Sequence, residues 1–136
     1  MRFQVALDTG PLVALLDASE REHARMSQLV QSLPSPFVTV EPVLTEACFL
    51  LRRVAGGPAA VLGLVREGLV RVQSIIDQDA AKVEAMMTKY KNVPMSLADA
   101  CLVQLIESNI AAKVFTLDND FKVYRHHGSK RISLIE

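Results

Sequence analysis

The chain has 136 residues, half of them hydrophobic, 5% aromatic and none of them Trp. Fifteen Lys and Arg balance fifteen Asp and Glu, for a formal net charge of zero. This length suits a single folded domain over residues 1–136, and the apolar content at zero charge excludes global disorder. Residues 3–8 read as a short apolar strand that runs into Asp8-Thr9-Gly10-Pro11. Pro11 suits the first turn of a helix, where its missing N–H would have no partner. That helix carries Leu12, Val13, Leu15 and Leu16. A second helix, about 21–33, turns Ala24, Leu29 and Val30 inward and is broken by Pro34-Ser35-Pro36. Phe37–Val40 is a second strand.

Pro42 opens a helix with Val43, Leu44, Ala47, Leu50 and Leu51 at helical spacing, ended by Gly56-Gly57-Pro58. A short helix follows to Glu67, and a third strand spans 70–76. Asp77 or Asp79 caps the next helix, which reaches about Tyr90. Beyond Pro94, residues 97–108 form an apolar helix, 114–117 a fourth strand and 132–135 a fifth. The alternation of strands and helices predicts an α/β sandwich around a mostly parallel sheet. Met26, Leu29 and Val30 with Leu50, Leu51 and Val54 form an apolar stripe that suits either core or a homodimer face.

No apolar run approaches the roughly 20 residues of a membrane span. The Met1-Arg2-Phe3-Gln4-Val5 start shows no signal-peptide core, so a cytoplasmic location is expected. Cys48 and Cys101 lie in apolar helical runs with no Cys-x-x-Cys pair, which predicts free thiols rather than a disulfide or zinc site.

The acids fall in a pattern. Ligands of open parallel sheets bind beyond the carboxyl ends of the strands. Asp8 closes the first strand, Asp118 follows the fourth, and Asp120 lies two residues on. Glu46, in the second turn of its helix, leans back toward the same edge, and Asp99 stands in the first turn of the helix before strand four. Each has a plainer reading: Asp8 or Asp118 as a helix cap, Ser96 to Asp99 as a capping box, Glu46 as a solvated acid. Together they converge, and carboxylates about 4 Å apart repel by roughly 4 kcal/mol at an effective dielectric near 20. Protonation or a bound cation relieves that repulsion. Oxygen ligands without His or Cys favour Mg²⁺ or Mn²⁺, and the chemistry implied is metal-assisted phosphodiester hydrolysis.

Val5-Ala6-Leu7-Asp8-Thr9-Gly10-Pro11-Leu12 resembles the opening motif of PIN-domain ribonucleases. Thr45-Glu46-Ala47, Ser96-Leu97-Ala98-Asp99-Ala100 and Thr116-Leu117-Asp118-Asn119-Asp120-Phe121 match that family's further acidic motifs, in family order over nearly the whole chain. The compact form is similar to the VapC-type toxins of toxin–antitoxin pairs. The resemblance implies a three-layer α/β/α fold and a Mg²⁺- or Mn²⁺-dependent endoribonuclease, often dimeric and inhibited by a small antitoxin. It implies Asp8, Glu46, Asp99 and Asp118 as the catalytic, metal-holding quartet, with Thr9 and Thr116 supporting the pocket. Whether Asp118 or Asp120 is the closer ligand stays open, as does a toxin or a solitary RNA-processing role.

From Phe121 to Ile135 there is no acid, while Lys122, Arg125, His126, His127, Lys130 and Arg131 gather. Lys122, Arg125, Lys130 and Arg131 are expected to meet RNA phosphates. His126-His127 as metal ligands is the weaker reading, and Arg52-Arg53 reads as helix surface. Aromatics are too few to suggest a base-stacking platform. Net zero is then the sum of an acidic and a basic patch. A phospho-accepting signalling domain shares the layered class but needs an acidic pair before its acceptor Asp, which residues 3–7 lack. The same acids are compatible with a non-catalytic protein-binding module or with a metal-dependent DNA nuclease, since a phosphodiester is common to both nucleic acids.

Overall fold

The computed structural model describes residues 3–136; the reading placed on Met1 and Arg2 lies outside them. The elements in chain order are β1 (Val5–Leu7), α1 (Thr9–Leu16), α2 (His23–Val30), β2 (Phe37–Val40), α3 (Glu41–Leu50) and α4 (Gly57–Arg66). There follow β3 (Val70–Gln73), α5 (Ile76–Lys89), α6 (Leu97–Glu107), β4 (Lys113–Phe115) and a 3-10 turn (Asn119–Lys122). A hairpin of β5 (Arg125–His126) and β6 (Lys130–Arg131) comes last. The main sheet runs β3-β2-β1-β4, and all its pairings are parallel. Helices flank it, with α1 to α4 packed as one set and α5 against α6 as another. This is the three-layer arrangement expected of alternating strands and helices.

Burial explains the order of strands. β1 and β2 are buried along their whole length, as central strands covered on both faces must be. β3 and β4 lie at the edges, where Arg71 and Lys113 reach solvent. Helix α6 is buried from Ala98 to Ile106, which is why it is apolar apart from Asp99 and Gln104. Prolines stand in the first turns of α1, α3 and α4.

Several boundaries differ from expectation. The helix expected over 21–33 is confined to α2, with Ala24 exposed and Met26 its buried residue. The third strand stops at Gln73, and α5 starts at Ile76 without a side-chain cap. Asp79 does not cap that helix; it carries a non-helical backbone (φ −117°, ψ 22°) inside it. Residues 132–135 yield one parallel bridge, Val114 to Leu134, rather than a full strand. The β5–β6 hairpin has no counterpart among the expected elements: its strands are two residues long and polar, with no alternation to betray them. Its turn places His127 and Gly128 at φ 47° and 82°, and glycine is at ease there.

The apolar stripe divides. Met26 and Leu51 are core, and Leu29, Val30 and Val54 pack against it. Leu50 alone of the stripe is exposed, beside the equally exposed Phe49. Cys48 and Cys101 are free thiols. Among the described residues no helix is long and apolar enough to cross a membrane.

Candidate active site

The carboxyl edge of the sheet opens into a cleft of about 580 Å³ lined by Asp8, Glu46, Asp99, Asp118 and Asp120. Four separate segments deliver these acids, and each is held by a bond from elsewhere in the chain or in its own turn. Asp8 occupies the N-cap position of α1 yet makes no capping bond. Its carboxylate instead accepts from the Thr116 hydroxyl at 2.6 Å, across 108 residues of sequence. The same Thr116 oxygen accepts from the Asp118 N–H at 2.9 Å, so one hydroxyl ties the ends of β1 and β4 together. Thr9 Oγ1 donates to Glu46 Oε1 at 2.7 Å and fixes the α3 acid against α1.

Asp99 shows that cap and site coexist. Ser96 Oγ accepts from the Asp99 N–H at 3.0 Å, so the capping box is real. That bond uses only the backbone. The Asp99 side chain, buried, accepts at Oδ2 from the Tyr124 hydroxyl at 2.7 Å. Asp118 likewise caps the 3-10 turn, accepting from the Asp120 N–H at 2.9 Å through Oδ1. Asp99, Asp118 and Asp120 each bring a carboxylate oxygen within 4.8 Å of the others.

Burial dominates the electrostatics. Desolvation lifts the Asp8 carboxyl to about 6 against the Thr116 and Thr9 hydrogen bonds, with Asp99 and Asp118 adding repulsion. Asp99 is raised for the same first reason, opposed by the Tyr124 bond and reinforced by the charges of Asp118 and Glu46. The Tyr124 phenol is pushed far up by burial and by its carboxylate partner, so it remains a neutral donor. Carboxylates gathered this closely suit a hard divalent cation, and an all-oxygen donor set is of the kind that takes Mg²⁺ or Mn²⁺.

The basic residues lie elsewhere. Neither Lys122, Arg125, Lys130 nor Arg131 lines the acidic cleft. Arg125 Nη1 donates to the carbonyls of Lys122, Val123 and Tyr124 at 2.8–3.0 Å, so that end of its guanidinium serves its own backbone. Lys122 and Arg131 share a different groove with Lys113. The hairpin meets α6 at its far end, where the His127 N–H donates to Glu107 Oε1 at 2.6 Å. Eight residues of helix separate Glu107 from Asp99, or about 12 Å at the helical rise. His126 is buried and engaged with His127 and the Arg131 carbonyl, outside the three-acid group.

Two residues at the cleft escape sequence reasoning. Tyr124 sits in a segment whose charges dominate its reading, although a tyrosine among apolar neighbours signals a hydroxyl in need of a partner. Phe49 lines the cleft and is 61% exposed, so an aromatic face does stand beside the acids. The Arg52 guanidinium covers one side of that ring at 3.9 Å and donates to the Phe49 carbonyl at 2.7 Å.

A parallel sheet with carboxylates converging at its carboxyl edge is the architecture of a PIN domain, and the PIN domain family model matches residues 5–126; the chain belongs to that family. Over 133 residues it is 29% identical to Ribonuclease VapC26 of Mycobacterium tuberculosis, covering 95% of this chain and 98% of that protein. The crystal structure of M. tuberculosis VapC20, described as a sarcin-ricin loop cleaving toxin, superposes with a TM-score of 0.79 at 21% identity. That match covers 88% of this chain and 94% of VapC20. A toxin–antitoxin complex from Klebsiella pneumoniae gives a TM-score of 0.64 at 16% identity, covering 85% of this chain and 88% of that one.

Proposed function

We propose that this chain is a divalent-cation-dependent ribonuclease, the toxin of a toxin–antitoxin pair, acting as one unit over its whole length in the cytoplasm. The observation that carries the reading is the meeting of Asp99, Asp118 and Asp120 within 4.8 Å, beside Asp8, in a chain that belongs to the PIN domain family. The near full-length similarity to a VapC ribonuclease supports RNA as substrate.

Asp8, Asp99 and Asp118 would hold Mg²⁺ or Mn²⁺, with Glu46 and Asp120 completing the acidic wall. When bound, the cation supplies an activated water and charge stabilisation for the phosphodiester. The residues do the rest. Thr116 fixes the Asp8 carboxylate and the Asp118 backbone together, and Thr9 keeps Glu46 facing the cleft. Asp8, most buried of the acids and with its carboxyl near 6, is ionised for most of the time at pH 7 and holds a proton readily below that. Phe49 offers an apolar wall to a nucleobase at the mouth. Lys122, Lys130 and Arg131 would meet the RNA backbone away from the cleft. Phe49 and Leu50 are the exposed apolar residues with which an antitoxin or a second copy of the chain would bury the mouth.

The test incubates purified protein with RNA and DNA oligonucleotides of one sequence, single-stranded and folded, with Mg²⁺, Mn²⁺ or EDTA. Cleavage of RNA that requires the cation and disappears in Asp99→Asn supports the reading. Cleavage in EDTA overturns the cation, preference for DNA overturns the substrate, and binding without cleavage leaves a binding module. A small protein encoded beside this chain that abolishes cleavage on mixing supports the toxin role.

A further inference from the structure

Tyr124 is buried at the acidic edge, and nothing in the cleavage reading uses it. Its ring stands edge-on to Phe121 at 5.2 Å and to Tyr90 at 5.1 Å. Its hydroxyl donates to Asp99 Oδ2 at 2.7 Å, and its backbone N–H donates to the Asp120 carbonyl at 3.2 Å. One residue thus spans the two segments that supply the three-acid group, the first turn of α6 and the turn carrying Asp118 and Asp120. A carboxylate torsion is broad and roughly two-fold, so packing alone leaves the two oxygens of an Asp nearly interchangeable. A fixed donor on one oxygen removes that freedom.

We propose that Tyr124 is a positioning residue for the cation: its hydroxyl occupies Asp99 Oδ2 and leaves Oδ1 as the single oxygen that Asp99 turns to a divalent ion. The backbone bond to Asp120 sets the spacing of that oxygen from Asp118 and Asp120. The proposal rests on the cation-dependent reading above and adds to it the geometry of one ligand. Groups that orient a metal ligand from behind typically carry about 10–100-fold in metal affinity.

Tyr124→Phe keeps the ring and removes the donor. Mn²⁺ affinity is measured by titration calorimetry on the wild-type protein, on Tyr124→Phe and on Tyr90→Leu, which loosens the packing on the Tyr124 ring from outside the acid-bearing turn. The expected result is a Kd about 10–100-fold weaker in Tyr124→Phe, near wild-type in Tyr90→Leu, with RNA cleavage in Tyr124→Phe recovering at high Mn²⁺. Equal Kd values in Tyr124→Phe and wild type overturn the proposal, and so does an equal loss in both variants, which would make the effect one of packing. Failure of the wild-type protein to bind Mn²⁺ overturns the cation reading itself and this proposal with it. Should Tyr124→Phe not fold, the wild-type chain answers alone. It has two tyrosines, so 3-fluorotyrosine labelling gives two ¹⁹F resonances, assigned with Tyr90→Phe. Added Mg²⁺ should shift the Tyr124 resonance with the midpoint of cation binding; an unmoved resonance overturns the proposal.

Discussion

The carboxyl edge of the sheet and the 125–131 hairpin are both charged, and they are built differently. At the edge Asp8, Glu46 and Asp99 each accept from a hydroxyl at least 25 residues away in sequence, respectively Thr116, Thr9 and Tyr124. At the hairpin, Arg125 bonds the three carbonyls before it, His126 and His127 bond each other, and Lys130 and Arg131 are exposed. Charges fixed by distant partners in a half-closed cleft keep a geometry that chemistry can use. Charges on a solvated ribbon add to a field, which salt screens beyond about 10 Å at 0.1 M. On the proposed reading, reaction belongs to the edge and long-range attraction to the hairpin, and each half breaks under a different substitution.

The largest effect is expected at the edge. Asp99→Asn keeps shape and the Ser96 cap but removes charge from the three-acid group. RNA cleavage should fall by on the order of a thousandfold, because the cation it would help to hold would supply several kcal/mol of charge stabilisation. Circular dichroism should show the fold intact. Wild-type cleavage by the variant would remove the edge from the chemistry.

Next comes stability without metal. The Asp8 carboxyl is near 6 in the fold and 3.8 when unfolded. Between those values the folded state binds more protons, so the cation-free protein should lose stability as pH rises from about 4 to about 6. The shift amounts to roughly 3 kcal/mol at most, at 1.36 kcal/mol per unit. Asp8→Asn should flatten this slope to what the raised Asp99 carboxyl contributes and melt higher than wild type at pH 7 in EDTA, while losing cleavage. Added Mn²⁺ should recover stability in the wild type only. A variant that melts lower at pH 7 would mean that the Thr116 bond outweighs the burial of charge.

The contrast also explains what the sequence discloses. The order of the main elements is readable because the central strands are almost wholly apolar, prolines mark helix starts, and α6 is apolar along most of its length. The acids are readable because Asp8, Asp99 and Asp118 stand at element ends, where a parallel sheet gathers its ligands. Their partners are harder to read. The Tyr124 bond to Asp99 and the Thr9 bond to Glu46 follow from packing across the sheet edge, which periodicity does not encode. Adjacency in sequence misleads for the basic residues. Lys122 follows Asp120 by two positions, yet neither it nor Arg131 lines the cleft, because the chain turns at Asn119–Lys122 and then runs along α6 to Glu107. The exposure of Phe49 is invisible for a related reason. It lies one turn beyond Glu46 on α3, and a scarcity of aromatics in the composition says nothing of one placed at the mouth they share.

The smallest effects distinguish one basic residue from another. Lys130→Ala with Arg131→Ala removes two exposed charges from β6. If both meet phosphates, the slope of log binding constant against log salt should become shallower by about 1.4, at about 0.7 per phosphate on single-stranded RNA. Turnover at saturating RNA should be unchanged, because neither side chain reaches the cleft. Arg125→Ala should behave in the opposite way. Its guanidinium already serves three carbonyls, so the loss should appear as roughly 1 kcal/mol of stability, with little change in salt slope. A salt slope that responds to Arg125 and not to Lys130 and Arg131 would move the RNA path from β6 to the start of β5, next to the turn that carries Asp120, and so bring attraction closer to chemistry.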